Sequence, residues 1–139
     1  MTGERNHNIE RTFAAAGILA GAAGAAVIWY FNPSNVNFLP ACPLYSMTGF
    51  ACPGCGLTRG FHALFHGDVL TALDHNALIP AFAVVLGFLF LSMVSVAARG
   101  RGFGISMPTP KLLTGALVVL LVFGVIRNLP IYPFSVLYP

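Results

Sequence analysis

The sequence predicts an all-α integral membrane protein. Three transmembrane helices are expected, with a cysteine-containing interfacial or re-entrant helical hairpin between the first and the second. The composition predicts this class, because 57% of the 139 residues are hydrophobic and only 8% are charged. Soluble domains carry about 25% charged residues. So few charges cannot cover a globule in water, which excludes a soluble enzyme and a disordered linker. We expect a single membrane domain over residues 1–139.

Three apolar segments are candidates for the membrane spans. About 20 helical residues cross the roughly 30 Å hydrocarbon core of a bilayer. We expect spans at about residues 13–31, 77–98 and 112–128. The third is short and lies between Lys111 and Arg127; the long side chain of Lys111 can reach the interface, and Leu129 with the apolar tail can extend the span.

The first apolar segment has a second interpretation, a signal peptide cleaved at Ala23-Gly24-Ala25. Glu4 and Glu10 precede the segment, and its apolar character continues to Phe31. Both features favour a retained span.

Small residues on the first span predict close helix packing. Gly17 and Gly21 form a G-x-x-x-G motif with Gly24 on the same face, which lets another helix approach closely. We expect this face to pack within the chain rather than to form a dimer. In the second span, Pro80 predicts a kink near one end.

The basic residues predict the orientation. They are scattered singly and form no patch for nucleic acid. A cytoplasmic N-terminus places five of them inside, Arg5, Arg11, Arg99, Arg101 and Lys111, and leaves Arg59 and Arg127 outside. The outer side then also carries the aromatic residues typical of an interface, Trp29, Tyr30, Tyr45, Tyr132 and Tyr138. We expect a bacterial inner-membrane protein with its C-terminus and its cysteine segment outside.

Residues 32–76 form the predicted hairpin, because this segment is too apolar for a solvated loop. A helix is expected from about Leu57 to His66, where Gly67 ends it. Asp68 is a suitable N-cap for the helix that enters the second span.

The three cysteines, Cys42, Cys52 and Cys55, are the principal chemical feature. One interpretation is a metal knuckle, in which the proline and glycines of C-P-G-C-G turn both thiolates towards one ion. Tetrahedral zinc needs four ligands, so Cys42 is the candidate third and His62 or His66 the candidate fourth.

Two other interpretations stay open. The Cys52/Cys55 pair at a helix start is also typical of a redox dithiol. A static disulfide from Cys42 to Cys52 or Cys55 is the third interpretation, and an oxidising outer location favours it.

The predicted helix carries polar groups on one side. Cys55, Arg59, His62 and His66 stand at i, i+4, i+7 and i+11, which lie on one helical face. The histidines are spaced to share a metal, or else they bond carbonyl groups or water.

Arg59 needs a partner at membrane depth. Asp68 and Asp74 are the carboxylates on its side, so we expect ion pairs among Arg59, Arg127 and these aspartates. An anionic head group is the alternative partner for Arg59. Structural polar roles are expected for Thr58, Asn76 and Asn128.

The cysteine segment resembles a bacterial family of small membrane proteins that is catalogued only as a domain of unknown function. The motifs that carry the resemblance are Cys42-Pro43, Thr48-Gly49, C-P-G-C-G-L-T-R at 52–59, Gly67-Asp68, Asn76 and Arg127-Asn128-Leu129-Pro130. The resemblance extends over about residues 30–139, and Ala77 departs from it where many members have proline. It implies a membrane protein and supplies no activity, cofactor or substrate.

The sequence therefore favours a non-catalytic membrane subunit or scaffold, whose outer hairpin is fixed by a disulfide or a zinc knuckle. Its partners would be the bilayer and a larger membrane complex or a second copy. The alternative is a membrane thiol–disulfide or metal-handling protein that uses Cys52 and Cys55. No motif of a hydrolase, a nucleotide-binding protein or a haem protein is present, which argues against an enzyme.

Overall fold

The computed structural model describes residues 2–36, 42–103 and 109–131, with side chains from Asn8 onward in the first helix. This part of the chain forms six helices and no strand: α1 Thr2–Tyr30, α2 Pro43–Thr48, α3 Leu57–Phe65, α4 Val69–His75, α5 Ile79–Arg99 and α6 Pro110–Ile126. The all-helical class is confirmed. Tyr132, Tyr138 and the side chain of Arg5, which entered the prediction of orientation, lie outside the described residues.

Two helices are long and apolar enough to cross a membrane. They are the 23 residues Asn8–Tyr30 of α1 and the 21 residues of α5. These helices match the first two predicted spans. The third, α6, has 17 residues and is about 26 Å long at 1.5 Å per residue, which is shorter than the hydrocarbon core. A third span is therefore not confirmed.

The chain divides into two compact units, Met1–Val27 with Pro80–Met107, and Ile28–Ile79 with Pro108–Pro139. In the first unit, the small face of α1 packs on α5. A Cβ built on Gly17 would lie 2.8 Å from Met93 Sδ, and one on Gly21 would lie 3.5 Å from the Phe90 ring. A Cβ built on Gly24 would meet no atom within 4 Å. Packing within the chain is confirmed for Gly17 and Gly21.

Arg11 forms a further contact between α1 and α5. Its Nε and Nη2 donate to the carbonyl oxygen of Ala97 at 3.0 and 2.9 Å. This carbonyl belongs to the last turn of α5, where no helical N–H is available to it. Because Arg11 meets Ala97 while Gly21 meets Phe90, α1 and α5 run antiparallel within this unit.

In the second unit, α3 and α4 pack around a small apolar cluster. Its buried members are Ala63, Ala72 and Ile79, and Leu57, Phe61 and Leu64 pack against them. Gly60 allows the close approach, because a Cβ there would lie 2.6 Å from Ile79 Cδ1 and 3.1 Å from the Ala72 oxygen. The bounds of α3 agree with the helix predicted from Leu57 to His66.

Asp68 caps α4, since its Oδ1 accepts a hydrogen bond from the Thr71 N–H at 3.0 Å. Hydrogen bonds from Thr71 lower the pKa of the Asp68 carboxyl below its ordinary value. The predicted cap is confirmed, but it begins a separate short helix rather than the span. Because α5 begins at Ile79, Pro80 lies in its first turn, where a missing N–H breaks no helical bond. The expected kink is therefore replaced by a helix start.

Replacing Gly60 with alanine tests the packing of α3 on α4. Alanine favours helix, yet the added Cβ would collide with Ile79. We expect Gly60→Ala to lower the free energy of unfolding by about 1–3 kcal/mol, measured by circular dichroism in a mild detergent. Gly115→Ala in α6 is the matched control, because its Cβ meets nothing within 4 Å. Equal stability of the two variants would contradict this packing.

Candidate metal centre

The three cysteine sulfurs converge at one point of the second unit. Sγ of Cys52 lies 3.3 Å from Sγ of Cys42 and 3.3 Å from Sγ of Cys55. All three atoms lie within 4.8 Å of one another. A disulfide bond is about 2.05 Å long, so the three side chains are separate thiols. The disulfide interpretation is not supported by this structure.

The C-P-G-C-G segment forms a tight turn that directs two sulfurs to one side. The Cys55 N–H donates to the Cys52 oxygen at 3.0 Å, and the Cys52 N–H donates to Cys55 Sγ at 3.2 Å. Amide donors to sulfur are typical of thiolate metal sites, because they stabilise the charged ligand. Gly56 follows with a φ of +82°, as a turn into α3 requires. A Cβ at Gly56 would also collide with the carbonyl oxygen of His75.

Arg127 holds this turn from its carbonyl side. The residue is fully buried, and its Nη1 donates to the carbonyl oxygens of Cys52 and Cys55 at 2.9 and 3.1 Å. Its guanidinium lies 5.2 Å from the centre of the Phe123 ring. The predicted role of Arg127 was ion pairing with an aspartate, whereas these bonds are to backbone carbonyls. A positive charge therefore lies beside the segment that carries two of the thiols.

Asn76 holds the same carbonyls from the end of α4. Its side chain is 1% exposed, and Nδ2 donates to the Pro53 oxygen at 2.8 Å and to the Cys55 oxygen at 3.1 Å. Its Oδ1 accepts from the Leu78 N–H at 2.9 Å. Asn76 thus connects the cysteine turn to the start of α5.

Asn128 fastens the residue before the turn to the end of α6. It forms a two-way pair with Ala51, accepting from the Ala51 N–H and donating to the Ala51 oxygen, both at 2.8 Å. Close approach of α6 depends on Gly124, where a Cβ would lie 3.1 Å from Pro53 Cγ. Asn128 and Gly124 thus hold the end of α6 against the cysteine turn.

The three thiols differ in their environment. A hydrogen bond from the Tyr45 backbone, followed by one from the Cys52 thiol, lowers the pKa of Cys42 to about 7. Burial raises the pKa of Cys55 to about 12. A metal that binds all three as thiolates must therefore displace the proton of a buried thiol, which is ordinary for thiolate sites.

Neither predicted histidine joins the cluster. Among the described residues, the group consists of Cys42, Cys52 and Cys55 alone. His62 Nδ1 is bonded to the Ile28 oxygen at 2.6 Å, and His66 Nδ1 is bonded to the His62 oxygen at 2.8 Å. The structure therefore places both rings against backbone carbonyls and outside the group of three sulfurs.

The predicted ion pairs of Arg59 are also not found. Among residues 8–36, 42–103 and 109–131, neither Asp68 nor Asp74 forms a salt bridge with it, and Asp68 is engaged with Thr71 instead. Thr58 makes no side-chain hydrogen bond within the same residues.

Sequence reasoning missed the contribution of the Tyr45 backbone and the pairing of Ala51 with Asn128. The sequence signal for the pairing of Ala51 with Asn128 was the Arg127-Asn128 pair that follows the third apolar segment.

Comparison with known proteins connects the centre to one family. Residues 42–90 match the family model described as "Protein of unknown function (DUF2752)". The resemblance predicted from the sequence is thereby confirmed for this segment. The DUF2752 match contains all three cysteines and Asn76, and it ends inside α5, so Arg127 and Asn128 lie beyond it. No curated protein and no solved structure matches the chain.

Replacing Asn76 with aspartate tests the scaffold under the cysteines. The change is nearly isosteric, but it removes both Nδ2 donors and places a carboxylate against two carbonyl oxygens. We expect Asn76→Asp to lower the free energy of unfolding by about 1–3 kcal/mol near neutral pH. Asn35→Asp, at an exposed position, should change it by less than about 0.5 kcal/mol.

The destabilisation should depend on pH. Burial raises the pKa of the introduced carboxylate in the folded state above its unfolded value. The penalty is therefore largest above that folded pKa and is relieved as the pH falls. Unfolding curves at about pH 8 and about pH 5 measure the relief. A penalty that is independent of pH would contradict burial of position 76 among carbonyls.

Proposed function

We propose that this protein is a small polytopic membrane protein in which Cys42, Cys52 and Cys55 bind one thiophilic metal ion, with Zn²⁺ as the first candidate. The observation that carries the proposal is the convergence of three sulfurs at a turn whose Cys52, Pro53 and Cys55 carbonyls accept hydrogen bonds from buried side chains. Three thiolates supply the soft donors that zinc and other thiophilic ions prefer.

The sulfur spacing fits such an ion. Zinc binds thiolate at about 2.3 Å, which separates two sulfurs in a tetrahedral site by about 3.8 Å. The observed separations of 3.3 Å lie about 0.5 Å below that value. A small separation of the sulfurs would then make room for a common ion. The guanidinium of Arg127, beside the turn, favours the net negative charge of a zinc ion with three thiolates.

The role that we propose for the centre is structural. It would join α2, which carries Cys42 at its N-cap, to the turn that starts α3. The fixed hairpin would then present a docking surface, so that the protein acts as a non-catalytic subunit or scaffold in a larger membrane assembly or with a second copy.

We further propose that α6 is a third span, with the N-terminus in the cytoplasm of a bacterial cell and the C-terminus outside. Clustering of basic residues supports the orientation. Lys111 at its start and Arg127 after its end can extend the reach of a 17-residue helix.

Reporter fusions test this topology. A periplasm-dependent phosphatase should be active when it is fused after Pro139 and inactive when it is fused before Met1. A cytoplasm-dependent fluorescent protein at the same two positions should give the reverse pattern. Activity of the same reporter at both ends would mean two spans and would contradict the proposal.

Metal content tests the proposed centre. Protein purified anaerobically in mild detergent should contain about one zinc ion per chain by plasma mass spectrometry. Cys42→Ser, Cys52→Ser and Cys55→Ser should each lose most of it, because a site of three thiolates depends on every ligand. His62→Gln is the matched control and should retain the metal, since His62 lies outside the cluster. Metal that persists in all three serine variants would contradict the proposal.

A second candidate function is thiol–disulfide exchange, which the 3.3 Å separation of Cys52 and Cys55 favours. In that reaction the two thiols lose two protons and two electrons and form a disulfide, while a substrate disulfide is reduced to a dithiol. Alkylation of protein trapped in cells distinguishes the two candidates. Metal-free protein with a Cys52–Cys55 disulfide supports exchange, whereas three metal-protected thiols support the metal centre.

A further inference from the structure

The second unit contains a polar cavity that the cysteine centre does not use. Its volume is about 260 Å³. It is lined by α3, α4 and the segment after α1, and its lining includes Ser34, Arg59, His62, His66, Asp68 and His75. Three imidazoles and one guanidinium around one cavity are an unusual concentration in a chain with four histidines and seven basic residues.

Arg59 gives the cavity a positive charge. Within the part of the chain that the structure describes, its exposed guanidinium has no ion-pair partner. Asp68 also lines the cavity, and its carboxylate accepts the N–H of Thr71 and forms no salt bridge with Arg59 within the described residues. Burial, and then the charge of Arg59, lower the pKa of His75, so that a second positive charge beside Arg59 is disfavoured.

His62 and His66 are held so that one ring nitrogen of each stays available. A carbonyl oxygen only accepts hydrogen bonds, so Nδ1 must carry the proton that is donated to Ile28 in one case and to His62 in the other. Nε2 of each ring is then left for a ligand. His66 is further fixed by Trp29, whose ring stacks on it with centroids 5.8 Å apart and an angle of 7°.

We propose that this cavity binds a phosphate-bearing anion, with the Arg59 guanidinium on two phosphate oxygens and the His62 and His66 rings donating to the anion from Nε2. The Arg fork matches the spacing of phosphate oxygens, and charge-assisted bonds of this kind are the strong ones. The Ser34 hydroxyl lines the same cavity and adds a neutral donor. A metal cation fits less well, because Arg59 in the same cavity repels it.

Binding should be coupled to proton uptake. A ring that already donates from Nδ1 donates from Nε2 only as the imidazolium. The charged or titratable groups that face these rings are Arg59 on α3, Asp68 and His75 on α4, and each other, while Asp74 acts on the cavity through His75. The segment 31–36 contributes no ionisable group. Because donation from Nε2 needs a protonated ring, the anion should bind more tightly as the pH falls.

Isothermal titration of the full chain in a phosphate-free maltoside detergent tests the proposal. The probes are inorganic phosphate and a short-chain phosphatidic acid, with the matching diacylglycerol as the neutral control. Arg59→Gln should weaken binding by roughly tenfold or more, as the loss of a charge-assisted bond predicts. Arg101→Gln is the matched control, because Arg101 lies outside the cavity.

Binding of both probes would identify the phosphate group alone as sufficient, and binding of phosphatidic acid alone would identify a lipid head group. Either result supports the proposal when Arg59→Gln weakens binding of the probe and Arg101→Gln does not. The proposal is overturned if neither probe binds, if diacylglycerol binds equally well, or if both arginine variants weaken binding alike.

A second variant keeps the test decisive if Arg59→Gln fails to fold. His66 is exposed, so His66→Gln should fold, and it should reduce the gain in affinity between about pH 8 and about pH 6. An unchanged pH dependence in His66→Gln would overturn the role of this ring. Zinc content of each variant is measured in parallel, so that loss of the cysteine centre is distinguished from loss of anion binding.

Discussion

The hydrogen bonds that Arg127 and Asn76 make to the carbonyls of the C-P-G-C turn are the interaction on which the second unit depends. The carbonyls of Cys52, Pro53 and Cys55 in this turn face the buried side chains of Arg127 and Asn76. Each unpaired carbonyl there would cost about 1–3 kcal/mol. Because two buried side chains from distant parts of the chain satisfy all three, the turn is fixed in one conformation, and its sulfurs face the other way, towards Cys42.

The need to satisfy buried backbone carbonyls and N–H groups also explains the asparagine side chains near the cysteine centre. A protein with few charges satisfies irregular backbone near apolar helices with short polar side chains, as membrane proteins do. The side chain of Asn128 forms hydrogen bonds with the backbone of Ala51 in this way. The side chain of Asn76 bonds both the cysteine turn and the backbone at the start of α5. The glycines at 56, 60 and 124 complete the arrangement, because each lies where a Cβ would meet a neighbouring carbonyl or side chain.

Local features of this fold could be predicted from the sequence, whereas the contacts over long separations could not. The start of α3, the Asp68 cap and the glycine face of α1 all follow from spacing and capping rules over a few residues. The convergence of three cysteines also followed from their spacing. The bonds of Arg127 to carbonyls more than 70 positions earlier left no local signal. Likewise, the histidines have metal-ligand spacing, but α3 turns their rings to carbonyls and to a separate cavity.

The most direct test of the metal centre is X-ray absorption at the zinc edge on anaerobically purified protein. The account predicts three sulfur neighbours at about 2.3 Å and one lighter neighbour in the first shell. A shell of nitrogen and oxygen alone would contradict a cysteine centre. Four sulfurs would contradict a centre built within one chain, because the chain has three cysteines.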